Sequence, residues 1–161
     1  MARRSRRILI LAVVLAVLGG AGAFVAIGIF GVHTLFIDDK VAETAPATAS
    51  QVIARGTWQP VKHDVEGTVA LLGSPASPSR FLRFEEGFRV DNGPDLFVYL
   101  GTGSGRYDDP GDYVALGRLK GNIGTQNYEL PAGVDLTRFT TVAVWCKRFD
   151  STFAVATLAT V

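Results

Sequence analysis

The chain has 161 residues, with 16 Lys or Arg, 15 Asp or Glu and a single Cys, so its formal net charge is +1. This length suits one domain of ordinary size with an appendage, and a lone cysteine excludes an internal disulfide. The sequence shows no basic face and no stripe of alternating basic and aromatic residues, which excludes nucleic acid as an expected partner.

The hydrophobic residues are concentrated at the N-terminus. Residues 8–32 contain no charged or strongly polar side chain, and a helix of roughly 20 such residues crosses the hydrocarbon core of a bilayer. The arginine-rich segment MARRSRR precedes this run, and such clusters stay on the cytoplasmic side. The sequence therefore predicts a cytoplasmic tail at residues 1–7 and a transmembrane signal-anchor helix at residues 8–36. The protein is then a single-pass protein of the cell membrane, with the remainder extracytoplasmic.

A cleavable signal peptide is the competing interpretation of the same segment. Its apolar core would be residues 8–18, followed by the small residues GGAGA. The apolar stretch continues well beyond that point, which favours the uncleaved anchor, and both interpretations export the rest of the chain. The pairs Ala16/Gly20 and Gly19/Ala23 have the small-xxx-small spacing of helix dimers, so a homodimer is a further option.

The exported part begins with a segment rich in Ala and Thr, DDKVAETAPATASQ. Its composition predicts a flexible linker at residues 37–52. From Gly56 onward, short apolar runs alternate with breakers rich in Gly, Pro, Asn and Asp, and the extracytoplasmic β domain is assigned to residues 53–161. Strands are predicted near residues 58–63, 68–72, 80–84, 95–100, 113–119, 127–130, 140–149 and 152–158.

Regular strands without a helical period predict an all-β fold, an antiparallel β-sandwich of about eight strands. The run DLFVYL is almost continuously apolar, as expected of a central strand that is covered on both faces. The predicted core consists of Trp58, Phe81, Phe84, Leu96, Val98, Leu100, Leu116, Val142, Val144 and Phe153.

Several motifs suggest chemistry but lack the parts that the chemistry requires. The glycine-rich GTGSG at residues 101–105 is followed by neither a helix nor a phosphate-binding lysine, so a hairpin loop is favoured. Asp108, Asp109 and Asp112 match no full calcium-ligand pattern. One histidine in the exported part, His63, and one cysteine cannot build a zinc site. No catalytic triad is suggested, so an enzyme is not expected and no metal site is predicted.

The only cysteine, Cys146, lies in the sequence VAVWCKRF. Strand alternation places Val142, Val144 and Cys146 on one face, which favours a buried packing residue. Two alternatives stay open: a reactive thiol beside Lys147 and Arg148, or a ligand to haem. If a haem binds, the residues of the exported part that could serve as its axial ligands are His63 and Cys146.

The sequence resembles the DM-thirteen domain family between Gly56 and Leu158. The resemblance rests on GTVALL, on SRFLRFEEGFRVDNGPDLFVYL, and on DYVALGRLKGNIGTQNYELPAGVDLTRFTTVAVWCKRFDSTFAVATL, in that order. This module is found beside DOMON domains in Skeletor-type animal proteins, and alone behind a membrane anchor in bacteria. The resemblance implies extracytoplasmic electron transfer, with the single strand-borne cysteine as the redox element, either as a free thiol or as a ligand to a group such as haem.

The family cysteine corresponds to Cys146 here. His63 precedes the GTV segment, where the family often has a histidine, although the resemblance assigns it no ligand role. No DOMON domain is present in the chain, so the redox partner is expected to be a separate protein. The sequence thus predicts a membrane-anchored redox module centred on Cys146; the alternative is a non-enzymatic β-sandwich for surface interaction, with Cys146 as core packing.

Overall fold

The computed structural model describes residues 2–24, 37–103 and 112–161. These residues form one helix, α1 (Ala2–Phe24), and thirteen strands. The strands are β1 (Lys40–Ala42), β2 (Gln51–Thr57), β3 (Gln59–Pro60), β4 (Val65–Glu66), β5 (Thr68–Ser74), β6 (Ser77–Phe84), β7 (Arg89–Val90), β8 (Leu96–Gly101), β9 (Tyr113–Arg118), β10 (Ile123–Glu129), β11 (Thr141–Cys146), β12 (Ser151–Thr157) and β13 (Ala159–Thr160).

The helix α1 covers the first half of the predicted membrane anchor. Its described apolar side chains, such as Leu11 and Leu15, are exposed. Within the described ranges, no helix combines the length and the apolar character that crossing a membrane requires. The second half of the predicted anchor, residues 25–36, lies outside the described residues, so the anchor stays a prediction.

The strands form two sheets, which confirms the predicted all-β sandwich. The larger sheet has the order β13-β2-β5-β6-β10-β7-β4, with β1 paired to β10, and the smaller sheet has the order β3-β12-β11-β8-β9. Neighbouring strands pair antiparallel, except that β1 runs parallel to β10. The excess over the eight predicted strands comes mostly from short segments of two or three residues.

The core lies between the two sheets and agrees closely with the sequence prediction. Phe81 and Leu116 are half-buried, and the other eight predicted core residues are buried. The ring of Trp58 packs edge-on against Phe84 with centroids 4.9 Å apart, and it also contacts Phe88. The strand predicted at residues 58–63 is reduced to β3, because the chain after Pro60 forms a turn.

The segment predicted as a flexible linker contains an integral strand of the sandwich. Its residues Lys40, Val41 and Ala42 form β1 and pair in parallel with Ile123, Gly124 and Thr125 of β10. We call residues 38–44 the strap. Nothing in its composition marks a strand, since pairing with β10, rather than any apolar alternation, holds it in an extended conformation.

Both ends of the strap are fixed by side-chain hydrogen bonds. At its start, the Asp38 carboxylate accepts hydrogen bonds from Asn122 Nδ2 at 2.9 Å and from Asn92 Nδ2 at 3.2 Å. At its other end, the Glu43 carboxylate lies 2.7 Å from Lys120 Nζ and accepts a 2.7 Å hydrogen bond from the backbone N–H of Asn127. The strap is therefore fastened to the loop 120–122 and to β10 along its whole length.

Glycine allows the strap to approach β10 closely. Gly124 has a φ of +97°, a conformation that favours glycine, and a Cβ at this position would overlap the carbonyl oxygen of Val41. A Cβ on Gly121 would meet Asp39 and Val41 in the same way. The glycines of the sequence KGNIG are thus explained by the backbone of the strap that lies against them.

Replacing Gly124 by alanine tests this contact. We expect Gly124→Ala to lower the free energy of unfolding by roughly 2–4 kcal/mol, because it adds both left-handed strain and an overlap with the strap. Gly133→Ala is the control, since Gly133 has a φ of +78° with open space around its Cβ position, and left-handed strain alone costs roughly 1–2 kcal/mol. Urea unfolding followed by tryptophan fluorescence measures both values, and equal losses would contradict the contact.

The Glu43 carboxylate makes the stabilisation that the strap provides depend on pH. Burial raises its pKa, but the hydrogen bonds from Lys120 and Asn127 outweigh burial and hold the pKa below its ordinary value of 4.5. The stabilisation is therefore present above that value and is lost as the pH falls through the lower pKa of the folded state. We expect Glu43→Gln to reduce the loss of unfolding free energy between about pH 6 and pH 3. Glu129→Gln, at the exposed end of β10, should leave that loss unchanged in the same urea titrations.

Candidate functional site

Cys146 is the last residue of β11 and lies at one end of the sandwich. It pairs with Leu96 at the start of β8 and with Ser151 at the start of β12. The next backbone N–H, of Lys147, donates a 3.0 Å hydrogen bond to the carbonyl of Asp95. This end of the smaller sheet therefore consists of the turn at residues 147–150 and the chain that leads into β8.

The larger sheet contributes the start of the strap to the same end. A cavity of about 160 Å³ joins the two sheets there, and Leu96 forms part of its wall. The other lining residues are Asp39, Asn92, Gly93, Pro94, Arg118, Leu119, Gly121 and Asn122. We call the end of the sandwich that contains Cys146, this cavity and the start of the strap the Cys146 end. It brings together the DNGP and KGN segments, which lie far apart in the sequence.

The side chain of Cys146 faces the core between the sheets. It is a free thiol with 0% of its surface exposed, and it belongs to the same buried cluster as Val142 and Val144. The alternation predicted for β11 is therefore confirmed. Lys147 does not face the sulfur, because its Nζ lies 5.6 Å from the ring centre of Phe97 on the outer side of the sheet.

His63 lies in a different environment from Cys146. Its ring stacks on Phe153 with centroids 3.6 Å apart, and its Nδ1 is 3.4 Å from a carboxylate oxygen of Asp91. About 37% of its side chain is exposed. The histidine is thus a surface residue near the Cys146 end, whereas the sulfur lies inside the core.

The surroundings of these two residues do not fit a haem. The described cavities have volumes of about 120–240 Å³, whereas pockets for ligands of drug size measure about 300–1,000 Å³, and haem is at least that large. The cavity beside Leu96 is lined largely by polar and backbone groups, and Cys146 itself is covered by packed side chains. The free thiol is therefore the form of Cys146 that the structure accommodates.

The other predicted site motifs do not assemble into a site within the described ranges. There, no three His, Cys, Asp or Glu side chains lie close enough together to hold a metal ion. Asp112 lies 3.9 Å from the guanidinium of Arg138, while Asp108 and Asp109 lie outside the described residues. Gly103 has a φ of +89°, which fits a turn at the described part of GTGSG.

An aromatic cluster on the outer face of the smaller sheet was missed by the sequence analysis. The ring of Tyr99 lies 4.5 Å from that of Tyr113 and 5.2 Å from that of Trp145, the residue before Cys146. Burial raises the pKa of Tyr99 to about 12, with smaller contributions from Tyr113 and Asp95. The alternation in DLFVYL, which puts Phe97 and Tyr99 opposite the core, was the available signal. Tyrosine and tryptophan are readily oxidised side chains, so the cluster places oxidisable rings on the opposite face of the sheet from the cysteine.

Comparison with known families identifies the domain. A family model described as electron transfer DM13 matches residues 58–158, which include most strands of both sheets and Cys146. The chain belongs to this family. Neither the curated proteins nor the solved structures contain a match. The DM13 match begins at Trp58, so the strap and β2 precede the matched region although they are built into the larger sheet.

The burial of Cys146 predicts that its thiol is protected in the folded protein. We expect a thiol-specific alkylating reagent to modify the native chain at least ~100-fold more slowly than the urea-unfolded chain, because modification requires local opening of the core. The measurement is the alkylated fraction by mass spectrometry as a function of time. Equal rates in the two states would show that the sulfur is accessible and would contradict the packing described above.

Proposed function

We propose that this DM13 protein is an extracytoplasmic electron-transfer domain, with Cys146 as its redox group. The observation that carries the proposal is the match to the electron-transfer family over residues 58–158. Cys146 is the one cysteine of the chain, and no other described residue offers a comparable sulfur chemistry. We propose that its redox partner is a separate protein.

The surroundings of Cys146 suit electron exchange better than thiol chemistry with small reagents. A nucleophilic thiol has to contact its target. Cys146 is fully buried in the core, so a reagent cannot reach its sulfur in the folded protein. Electron exchange does not require contact at the sulfur, because electrons tunnel through the intervening protein. Trp145 lies on the adjacent position of β11 and packs against Tyr99 on the outer face, which provides oxidisable groups between the sulfur and the surface.

We also propose that the N-terminal segment anchors the domain in the cell membrane, with the N-terminus in the cytoplasm. The support is the apolar run of residues 8–32, which continues beyond the described end of α1 at Phe24. The arginines that precede the run favour a cytoplasmic N-terminus. Residues from Asp38 onward then lie outside the cell.

A second candidate function is a surface-interaction sandwich in which Cys146 only packs. The observation that favours it is the complete burial of the sulfur among apolar side chains. The two functions differ in one measurable property. In the electron-transfer domain, the Cys146 thiol gives one electron to the partner protein and its proton to solvent, which leaves a thiyl radical, and the return of both restores the thiol. A packing residue undergoes neither step.

Protein-film voltammetry of the full chain in detergent tests the redox role. We expect a reversible signal for the natural chain and none for Cys146→Ala, which removes the sulfur and lowers the free energy of unfolding by about 1–2 kcal/mol through the cavity it leaves. Val144→Ala is the matched control, because Val144 is also fully buried on the same face of β11. Its signal should persist.

Circular dichroism of each variant establishes that it is folded before the electrode measurement. A signal that survives in Cys146→Ala assigns the redox group to another residue. The absence of any signal in the natural chain contradicts the electron-transfer proposal and leaves the interaction module.

A further inference from the structure

The strap restricts how far the sandwich can lie from the apolar N-terminal segment. A fully extended chain spans at most about 3.5 Å per residue. If residues 33–52 were all linker, the domain could lie roughly 70 Å from the end of the apolar run, whereas docking at Asp38 leaves residues 33–37 and roughly 18 Å. This distance is less than the length of the sandwich, about 25 Å for a strand of seven or eight residues.

The direction of the strap determines which end of the sandwich lies close to the apolar N-terminal segment. Lys40 pairs with Ile123 at the start of β10, and the strap then runs parallel to β10. Asp38 and Asp39 therefore lie at the Cys146 end, where Asp39 lines the cavity beside Leu96. The opposite end carries the turn between β5 and β6, since Ser74 pairs with Ser77 there.

The Cys146 end also exposes large apolar side chains. Phe149 is 64% exposed in the turn that follows Cys146, and Ile37 is 56% exposed immediately before the strap. Val61 is 50% exposed, and its N–H donates to the carbonyl of Phe153, which places it at the same end. Among the described residues of the β domain, the remaining exposed large apolar side chain is Val161, which lies beside Ile53 toward the other end.

Cationic side chains accompany these apolar ones. Lys147 and Arg148 precede Phe149 in the turn, and Lys62 follows Val61; all three are exposed. Two acidic side chains at this end have cationic partners, since Asp38 lies 3.4 Å from Arg89 and Asp95 lies 2.7 Å from Arg118. Asp64 and Asp150 are exposed at the same end. Apolar side chains that enter the interface, flanked by Lys and Arg that reach phosphate groups, are the chemistry of a membrane-surface contact.

We propose that the Cys146 end docks on the phospholipid headgroups of the membrane that holds the N-terminal segment. The docking surface consists of Ile37, Val61, Lys62, Lys147, Arg148 and Phe149. The strap brings this surface to the bilayer, the apolar side chains enter the interfacial region, and the cations contact phosphates. The inference rests on the proposed membrane anchor and deepens it, because it assigns the face of the domain that meets the membrane.

This orientation has a consequence for electron exchange. Cys146 is the last residue before the turn that carries Lys147, Arg148 and Phe149, so the sulfur lies close to the bilayer surface. The partner that this geometry fits is a redox protein held in or on the same membrane. A freely diffusing partner would instead meet the opposite end of the sandwich first.

Energy transfer in lipid nanodiscs tests the orientation with the full chain. A donor dye is attached to Asp64→Cys, exposed near the Cys146 end, or to Ala76→Cys, exposed in the turn at the opposite end, with acceptor dyes on the lipid headgroups. The discs contain phosphatidylcholine and phosphatidylglycerol. Because the two positions differ in height by about the length of the sandwich, we expect roughly two-fold stronger quenching at position 64 than at position 76. The natural chain is labelled in the same way as a control, and its donor fluorescence measures how much dye attaches to Cys146.

Phe149→Ser and Val161→Ser form the matched pair of surface variants. We expect Phe149→Ser to reduce the difference in quenching between the two positions and Val161→Ser to leave it unchanged. Equal quenching at both positions, stronger quenching at position 76, or a difference that Phe149→Ser does not alter overturns the docking proposal. Failure of the chain to co-purify with the discs overturns the membrane anchor and the docking with it, whereas voltammetry tests the redox role separately.

Discussion

The parallel pairing of β1 with β10 is the constraint on which the organisation of the molecule depends. It converts a segment of unremarkable composition into a strand of the larger sheet, through Gly124 and through the carboxylate of Glu43 bound to Lys120. The same pairing orders the loop at residues 120–122, where Asn122 donates to Asp38. The strap therefore packs against the KGNIGTQN sequence, and its direction places Asp38 at the Cys146 end of the sandwich.

The placement of Cys146 links the fold to the function proposed for it. The cysteine is part of the inter-sheet packing, so its chemistry and the stability of the domain cannot be altered independently. A buried sulfur is protected from reagents that attack thiols directly, which is useful in an oxidising compartment. The outer face of the same strand carries Trp145 against Tyr99. An inner sulfur and an outer aromatic cluster thus occupy the two sides of one sheet.

Local patterns in the sequence predicted the sandwich and most of its core, because alternation and turn residues determine both. Cys146 was correctly placed on the buried face by the period of two in β11. The strap was not predicted, since KVA shows no apolar alternation and its structure depends on Gly121 and Gly124, about 80 positions later in the chain. The strand β2 gave a usable signal in the apolar residues Val52 and Ile53, which was overlooked beside the Ala-rich segment. The poor fit of haem depends on cavity volumes that only the packed structure defines.

Native-state hydrogen exchange at the amides of Glu43 and Ile123 tests the docked strap most directly. The Glu43 N–H donates to Thr125 O at 2.9 Å and the Ile123 N–H to Asp39 O at 3.2 Å, so both bonds exist only while the strap is paired. If the strap is an integral strand, both amides exchange with protection close to that of the neighbouring pairs between β10 and β6. Exchange of both amides at the rates of an unstructured peptide, while the β10–β6 pairs stay protected, would show that residues 38–44 are a free linker.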